Sequence, residues 1–115
     1  MKTRIGVLGL GGVGGYFGGL LAGKYHNSEN IEVVFIARPE TEKVIKEQGL
    51  KLITPEKEEV VYPDLITSTI NSIGTLDVLI VAVKSYDLMA SITNIAPSID
   101  KNTIILSAGD LFIAI

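Results

Sequence analysis

The sequence of 115 residues contains no cysteine, no tryptophan and a single histidine, His26. Without cysteine there can be no disulfide framework, no thiolate metal site and no cysteine nucleophile. One histidine is too few for a histidine-rich metal site, and His26 falls in a polar loop where we assign it no role. These absences predict a chain that binds no metal.

Positive charge is scarce as well. Ten lysine and arginine residues face thirteen acidic ones, which gives a net charge of -3 at pH 7. Nucleic-acid-binding domains normally carry the opposite excess, so we expect no nucleic-acid partner. The hydrophobic share of 47% and the charged share of 20% are typical of one globular domain.

A charge-free stretch, residues 5–23, follows Lys2 and Arg4 and has the outline of a signal peptide or a membrane helix. Nine of its nineteen residues are glycine, however, and each glycine costs about 1 kcal/mol relative to alanine inside a helix. We considered three hypotheses for the function of this chain. The least favoured is a membrane-anchored protein that associates through a stripe of glycines. We expect no membrane partner.

Short aliphatic runs alternate with amphipathic ones, a pattern typical of βαβ units. The aliphatic runs predict strands at 3–8, 31–37, 77–83 and 103–106. Helical spacing of apolar residues predicts helices at 12–25, 41–48 and from about 85 onward. The predicted fold is α/β: a Rossmann-type parallel sheet with helices on both faces, in a single domain.

Further details follow from spacing. Val13, Phe17, Leu20 and Leu21 share one face of the first predicted helix, and we expect that face to pack on the sheet. In the second helix Glu42 precedes Lys46 by four residues and can pair with it, and Gly49 marks the helix end. Residues 50–54 and 59–62 flank a charged turn and predict a β-hairpin, whereas 64–76 fits no single pattern.

The sequence Gly9-Leu10-Gly11-Gly12-Val13-Gly14 matches the G-x-G-x-x-G pattern between a predicted strand and a predicted helix. Gly9 permits the tight turn, Gly11 lets a pyrophosphate approach the backbone, and Gly14 lets the helix press against the strand. The amide groups and dipole of the helix N-terminus then favour a phosphate. The alternative, a turn that only packs the helix closely, suits Gly15, Gly18 and Gly19. For the motif itself we favour dinucleotide binding.

Arg38 follows the second predicted strand, where an NAD-binding site usually has an acidic residue that accepts the ribose hydroxyls. A guanidinium offers a bidentate, charge-assisted fork to a 2′-phosphate, so Arg38 favours NADP over NAD. Two alternatives stay open: Arg38 is an ordinary exposed strand-end residue, or Glu40 neutralises it or binds the ribose itself.

Lys84 follows the predicted strand 77–83 at its carboxyl end, the edge where ligands bind in open α/β sheets. A lysine there can meet a ribose hydroxyl or a substrate carboxylate. From position alone, a solvated lysine with no ligand is an equal alternative.

Four segments together resemble the ketopantoate reductase family, also called 2-dehydropantoate 2-reductases. They are Gly9-Leu10-Gly11-Gly12-Val13-Gly14-Gly15-Tyr16-Phe17-Gly18, Ile36-Ala37-Arg38, Gln48-Gly49-Leu50-Lys51-Leu52 and Val81-Ala82-Val83-Lys84-Ser85-Tyr86-Asp87. The resemblance implies that the glycine loop holds the NADPH pyrophosphate, that Arg38 faces the 2′-phosphate, and that Lys84 lies by the nicotinamide half. It thereby strengthens the assignment of Lys84.

The resemblance also shows departures. Family enzymes are two to three times longer, and a helical second domain supplies their general-acid lysine and a glutamate near the substrate. We therefore interpret residues 1–115 as the dinucleotide-binding domain, truncated before that domain, and assign no catalytic residue to it. The family's Asn-Gly pair after the fifth strand is replaced by Ser107-Ala108-Gly109-Asp110, and an anionic Asp110 cannot donate the amide hydrogen bond.

The leading hypothesis is the cofactor-binding part of an NADPH-dependent reductase of 2-dehydropantoate or a similar 2-keto acid. This reaction belongs to pantothenate and coenzyme A biosynthesis, and we expect a cytoplasmic location and an inactive isolated chain. The alternative is a non-catalytic NAD(P)-binding regulatory module, although such modules usually keep an acid where Arg38 stands. Whether several copies assemble stays open.

Overall fold

The computed structural model describes residues 2–10, 13–69, 73–82 and 98–107. Within these residues the chain forms seven strands and two helices. In chain order they are β1 Thr3–Leu8, α1 Val13–Lys24, β2 Ile31–Ile36, α2 Pro39–Gln48, β3 Leu50–Ile53, β4 Glu58–Val61, β5 Leu65–Thr67, β6 Val78–Val81 and β7 Ile104–Ser107.

Five strands form one sheet in the order β5-β2-β1-β6-β7, and every neighbouring pair in it is parallel. Strand β1 is central and pairs along its length with β2, from Thr3 opposite Ile31 to Leu8 opposite Ile36. The chain fills positions on one side of β1 first and then crosses to β6 on the other side. This confirms the predicted Rossmann-type parallel sheet, whose ligands bind outside the carboxyl ends of the strands near such a switch point.

The sheet has a hydrophobic core on each face, because alternate residues of a strand point to opposite sides. One core is formed by β-sheet residues together with side chains from both helices and the hairpin: Val7, Ala22, Val33, Phe35, Ile45, Leu52, Val61, Ile66 and Ile80. The core on the opposite face contains Leu8, Val34, Ile36, Ile73, Leu76, Leu79 and Val81. The helix predicted from about residue 85 lies outside the described residues.

Helix α1 packs only in part through the face expected from its large apolar residues, since Leu21 contacts the core but Leu20 does not. Leu20 is 36% exposed, whereas Gly14, Gly18 and Ala22, spaced four residues apart, are buried. A Cβ on Gly18 would lie 3.1 Å from the Phe35 ring, so the small residues let the helix backbone approach β2. The prediction for Leu20 was wrong because close helix–sheet approach favours the smallest side chains, not the largest.

The predicted hairpin is confirmed, since β3 and β4 pair antiparallel, with Leu50 opposite Val61. It packs on a second glycine face of α1. A Cβ on Gly19 would lie 3.0 Å from Leu52, and one on Gly23 would lie 3.2 Å from Val61. The glycine stripe of α1 therefore accommodates this chain's own hairpin. Among the described residues, no helix is long and apolar enough to cross a membrane.

Residues 64–76, which fitted no single sequence pattern, contain strand β5. It has three residues, and it pairs with the end of β2, where Ile36 lies opposite Thr67. Helix α2 begins two residues earlier than predicted, at Pro39, and ends as predicted, with the Gly49 amide donating to the Ile45 carbonyl at 2.8 Å.

Candidate dinucleotide-binding site

The turn after β1 brings the glycine motif to the carboxyl edge of the sheet. Gly9 has a φ of 89°, in the left-handed region that glycine adopts most readily, and its amide donates to the Ile36 carbonyl at 3.0 Å. This bond ties the end of β1 to the end of β2. The Gly9 amide is consequently used within the protein, and the role of Gly9 is to turn the chain, as predicted.

Gly14 lies at the start of α1, where any side chain would collide with the backbone. A Cβ there would lie 2.0 Å from the Gly9 carbonyl oxygen and 2.7 Å from the Ala82 Cβ. The first turn of α1 is thus pressed against both the Gly9 turn and the end of β6. This close approach agrees with the role predicted for the third glycine of the motif.

The first turn of α1, which starts at Val13, contains no acidic residue. The positive end of the helix dipole is therefore not neutralised by a carboxylate of its own first turn, as it would be in many capped helices. Leu10 is half-buried and contacts the core, and its carbonyl lies 2.5 Å from where a Gly15 Cβ would be. Gly11 and Gly12, which are expected to face the pyrophosphate, lie outside the described residues. The side-chain-free cradle around Gly9 and Gly14 fits a dinucleotide pyrophosphate.

Arg38 lies two residues beyond the end of β2, and β2 is the strand that neighbours the glycine turn. It is the residue preceding α2, with φ of -66° and ψ of 156°, and its carbonyl accepts the Glu42 amide at 2.9 Å. Its side chain is exposed, and among the described residues it makes no ion pair. The predicted neutralisation of Arg38 by Glu40 is therefore not seen in this part of the chain.

A polar network lies one helical turn further along α2. The Glu42 carboxylate accepts from the Ser68 hydroxyl at 2.8 Å and pairs with the Lys46 ammonium at 3.0 Å. These two donors, Lys46 foremost, lower the pKa of Glu42 below its usual value of 4.5. The pair of Glu42 and Lys46 was predicted from spacing, whereas the bond to Ser68 was not.

Several predicted positions lie outside the described residues. These are Gly11, Gly12, Lys84, Ser85, Tyr86, Asp87 and Asp110. Ser107, which precedes the departure from the family's Asn-Gly pair, is the last residue of β7. The predicted site residues that the structure describes are Gly9, Leu10, Val13, Gly14 and Arg38, which follow β1 and β2 at the carboxyl edge of the sheet.

Two contributors to this edge were missed by the sequence analysis. Ala82 follows β6 and meets the start of α1, and Ser68 follows β5 and holds Glu42. No local pattern identifies Ala82, because its importance comes from its proximity to Gly14. Ser68 could have been found only by recognising Leu65–Thr67 as a strand parallel to β2.

Comparison with known protein families decides the class of this site. The family model described as "Ketopantoate reductase PanE/ApbA" matches residues 5–109. The chain belongs to the ketopantoate reductase family. The match spans the glycine turn, Arg38 and the whole described sheet apart from the first residues of β1.

Individual relatives agree with the family. An uncharacterised oxidoreductase of Bacillus subtilis, YkpB, is 37% identical over 101 residues, which cover 87% of this chain and 31% of the relative. The 2-dehydropantoate 2-reductase structure from Porphyromonas gingivalis W83 superposes with a TM-score of 0.82 at 34% identity, covering 91% of this chain and 37% of that one. A ketopantoate reductase structure from Ralstonia eutropha JMP134 has a TM-score of 0.77 at 30% identity, covering 89% and 32%.

A further structural neighbour carries a cofactor in its title. It is a ternary structure of D-mandelate dehydrogenase with NADH and anilino(oxo)acetate, with a TM-score of 0.73 at 25% identity, covering 90% of this chain and 32% of that one. The chain thus spans about a third of the length of each of these relatives. The family and these names point to a pyridine-nucleotide-dependent oxidoreductase.

Proposed function

We propose that residues 1–115 form the NADPH-binding part of a reductase that converts 2-dehydropantoate, or a similar 2-keto acid, to the 2-hydroxy acid. The observation that carries the proposal is the cradle at the carboxyl end of β1, where the absence of a Cβ at Gly14 lets the start of α1 press on the Gly9 turn. Membership in the ketopantoate reductase family supports the choice of reaction.

The proposal gives each described residue a binding role. Gly9 turns the chain, Gly14 permits the close approach, and the N-terminus of α1 at Val13 receives the pyrophosphate through backbone amides and the helix dipole. Gly11 and Gly12 extend this cradle. The fit requires no basic side chain at the pyrophosphate, in agreement with the absence of lysine and arginine between Gly9 and Gly14.

Arg38 is proposed to bind the 2′-phosphate that distinguishes NADPH from NADH. It follows β2, is exposed, and has no ion-pair partner among the described residues, so its guanidinium is available for a bidentate contact. The NADH in the D-mandelate dehydrogenase structure shows that this fold also accommodates the cofactor without that phosphate. Under this proposal, cofactor choice depends on the side chains after β2.

Bound NADPH would supply hydride to the ketone carbon of the substrate. The alkoxide that results needs a proton donor, and general acid catalysis typically contributes about 10²- to 10⁴-fold. We propose that Lys84 contacts the nicotinamide half or the substrate and that the proton donor lies beyond residues 1–115.

Titration of the purified chain with NADPH and with NADH, followed by cofactor fluorescence, tests the binding proposal. We expect tighter binding of NADPH. Equal affinities for the two cofactors, or no binding of either, would contradict the assignment.

Oxidation of NADPH in the presence of 2-dehydropantoate tests the division of labour. We expect the 115-residue chain to bind the cofactor but to turn over far below the typical enzyme median of roughly 10 per second. Turnover within tenfold of that value, abolished in Lys84→Ala, would show that the catalytic acid lies in this chain. The helical domain of a full-length relative can also be added to the assay. If the chain then binds the cofactor but still gives no turnover, the result would favour the alternative of a non-catalytic regulatory module.

The proposal includes the setting of the reaction. Reduction of 2-dehydropantoate is a step toward pantothenate and coenzyme A, for which we propose a cytoplasmic location and small-molecule partners.

A further inference from the structure

Two acidic residues lie in the first turn of α2, directly after Arg38. They are Glu40 and Glu42. A carboxylate close to the guanidinium would neutralise it, and a carboxylate close to a bound 2′-phosphate would repel it. A site that selects NADPH through Arg38 therefore has to keep both carboxylates away.

Glu40 is kept away by helix geometry. Residues two apart on a helix point to different sides, so Glu40 does not face the residue that precedes the helix. Its side chain is exposed, and no ion pair joins it to Arg38 in the part of the chain that the structure describes.

Glu42 is in a different position. It is the residue whose amide closes the first turn on the Arg38 carbonyl, at 2.9 Å. Residues four apart are neighbours on one side of a helix, and both side chains are long. Glu42 therefore lies one helical turn from Arg38, the spacing at which two long side chains can meet.

The Glu42 carboxylate is held elsewhere. The Ser68 hydroxyl donates to Oε1 at 2.8 Å, and the Lys46 ammonium lies 3.0 Å from Oε2, so each carboxylate oxygen has its own partner. The carboxylate is mostly shielded, with 19% of the Glu42 side chain exposed. The depressed pKa of Glu42 agrees with a carboxylate stabilised in its charged form by these two donors.

We propose that Ser68 and Lys46 form a carboxylate clamp, which holds Glu42 away from Arg38 and thereby preserves the preference for NADPH. This inference rests on the proposed binding of the 2′-phosphate by Arg38. Ser68, Lys46 and Glu42 are positioning residues under this proposal: they act on the cofactor only through the freedom of the Arg38 guanidinium.

The test is the ratio of the NADH and NADPH dissociation constants, measured at one ionic strength. Ser68→Ala combined with Lys46→Gln releases both oxygens of Glu42, and we expect the preference for NADPH to fall about two- to fivefold, the effect of one exposed ion pair formed with Arg38. Lys43→Gln is the matched control, because it removes one positive charge from the same helix without touching Glu42. It should leave the ratio near the wild-type value.

Two further backgrounds separate the clamp from a general weakening of the helix. In Glu42→Gln, which has no carboxylate to release, the same double substitution should leave the ratio unchanged. In Arg38→Ala it should also have no further effect on the ratio. A loss of folding would instead lower the melting temperature and weaken the binding of NADPH and NADH alike. The ratio of their dissociation constants would then stay unchanged.

The outcomes distinguish the clamp from the proposed function. If Arg38→Ala leaves the ratio unchanged, the 2′-phosphate assignment fails and the clamp fails with it. If Arg38→Ala removes the preference while the double substitution behaves like Lys43→Gln, the clamp alone is overturned. A fall in preference that persists in the Glu42→Gln background also overturns the clamp.

Discussion

Two junctions at which a strand passes into a helix, those after β1 and after β2, are built in opposite ways. After β1 the described part of the site is built from glycine backbone, because Gly9 has a positive φ, Gly14 leaves no room for a Cβ, and α1 has no acid in its first turn. After β2 the site consists of side chains: Arg38, two acids in the first turn of α2, and the partners that hold Glu42. Under the proposed function, the first junction would bind the pyrophosphate that both NAD and NADP carry, and the second would bind the 2′-phosphate that only NADP carries.

The two helices differ accordingly. Helix α1 has no charged residue before Lys24 and packs against the sheet on one side and the hairpin on another. Helix α2 buries only Ile45, and its remaining residues are polar or charged apart from Pro39 and the exposed Val44. A substitution at the first junction should therefore affect folding and every cofactor, whereas a substitution at the second should affect cofactor choice.

The largest effect is expected for Gly14→Val. The new Cβ would lie 2.0 Å from the Gly9 carbonyl oxygen, which belongs to backbone that cannot move aside cheaply. We expect a loss of about 3 kcal/mol or more in the free energy of unfolding, together with loss of NADPH and NADH binding. Denaturant unfolding and cofactor titration measure the two effects.

Gly23→Ala is the control for this substitution. Its Cβ would meet only side chains, Val61 at 3.2 Å and Glu59 at 3.6 Å, at an exposed position of the same helix. Alanine also favours the helix by about 1 kcal/mol, so the free energy of unfolding should change by less than about 1 kcal/mol. Equal losses in both variants would contradict the picture of a cradle that only glycine fits.

The next largest effect is expected for Arg38→Ala. Loss of charge-assisted hydrogen bonds to the 2′-phosphate should weaken NADPH binding by about 10- to 100-fold and leave NADH binding within about twofold. The melting temperature should hardly change, because Arg38 is exposed and makes no ion pair among the described residues. An equal loss of affinity for NADPH and NADH would show that Arg38 does not bind the 2′-phosphate.

The smallest effect is expected for the pH dependence of stability. Because the folded state lowers the pKa of Glu42, its contribution is present above the ordinary value of 4.5 and is lost as the pH falls through the lower folded-state pKa. The difference in melting temperature between the wild type and Glu42→Gln should therefore be small at pH 7 and shrink below pH 4.5. A difference that grows on acidification would reverse the assigned direction of the shift.

Local patterns in the sequence predicted much of this architecture. The strands around the glycine motif, the hairpin, the pairing of Glu42 with Lys46 and the end of α2 at Gly49 all follow from spacing within a few residues. The hairpin and the features of α2 are determined by contacts close in sequence, and the strands around the glycine motif are indicated by their short aliphatic runs.

The features that escaped prediction depend on contacts distant in sequence. Leu20 has the spacing of a core residue, yet the sheet meets the small residues of α1 instead. Ser68 lies 26 residues from Glu42, and their bond exists only because the three-residue strand β5 adds to the sheet beside β2. Propensity over three residues is too weak a signal to predict such a strand.

A single bound NADPH is expected to contact both junctions at once, and ³¹P NMR of NADPH in the presence of the 115-residue chain can observe each contact. The pyrophosphate and the 2′-phosphate give separate resonances, so each junction is observed on its own. We predict that both resonances shift on binding and that Arg38→Ala abolishes the shift of the 2′-phosphate while the pyrophosphate still responds. A 2′-phosphate resonance that stays at its free position with the wild-type chain, while the pyrophosphate shifts, would contradict this expectation.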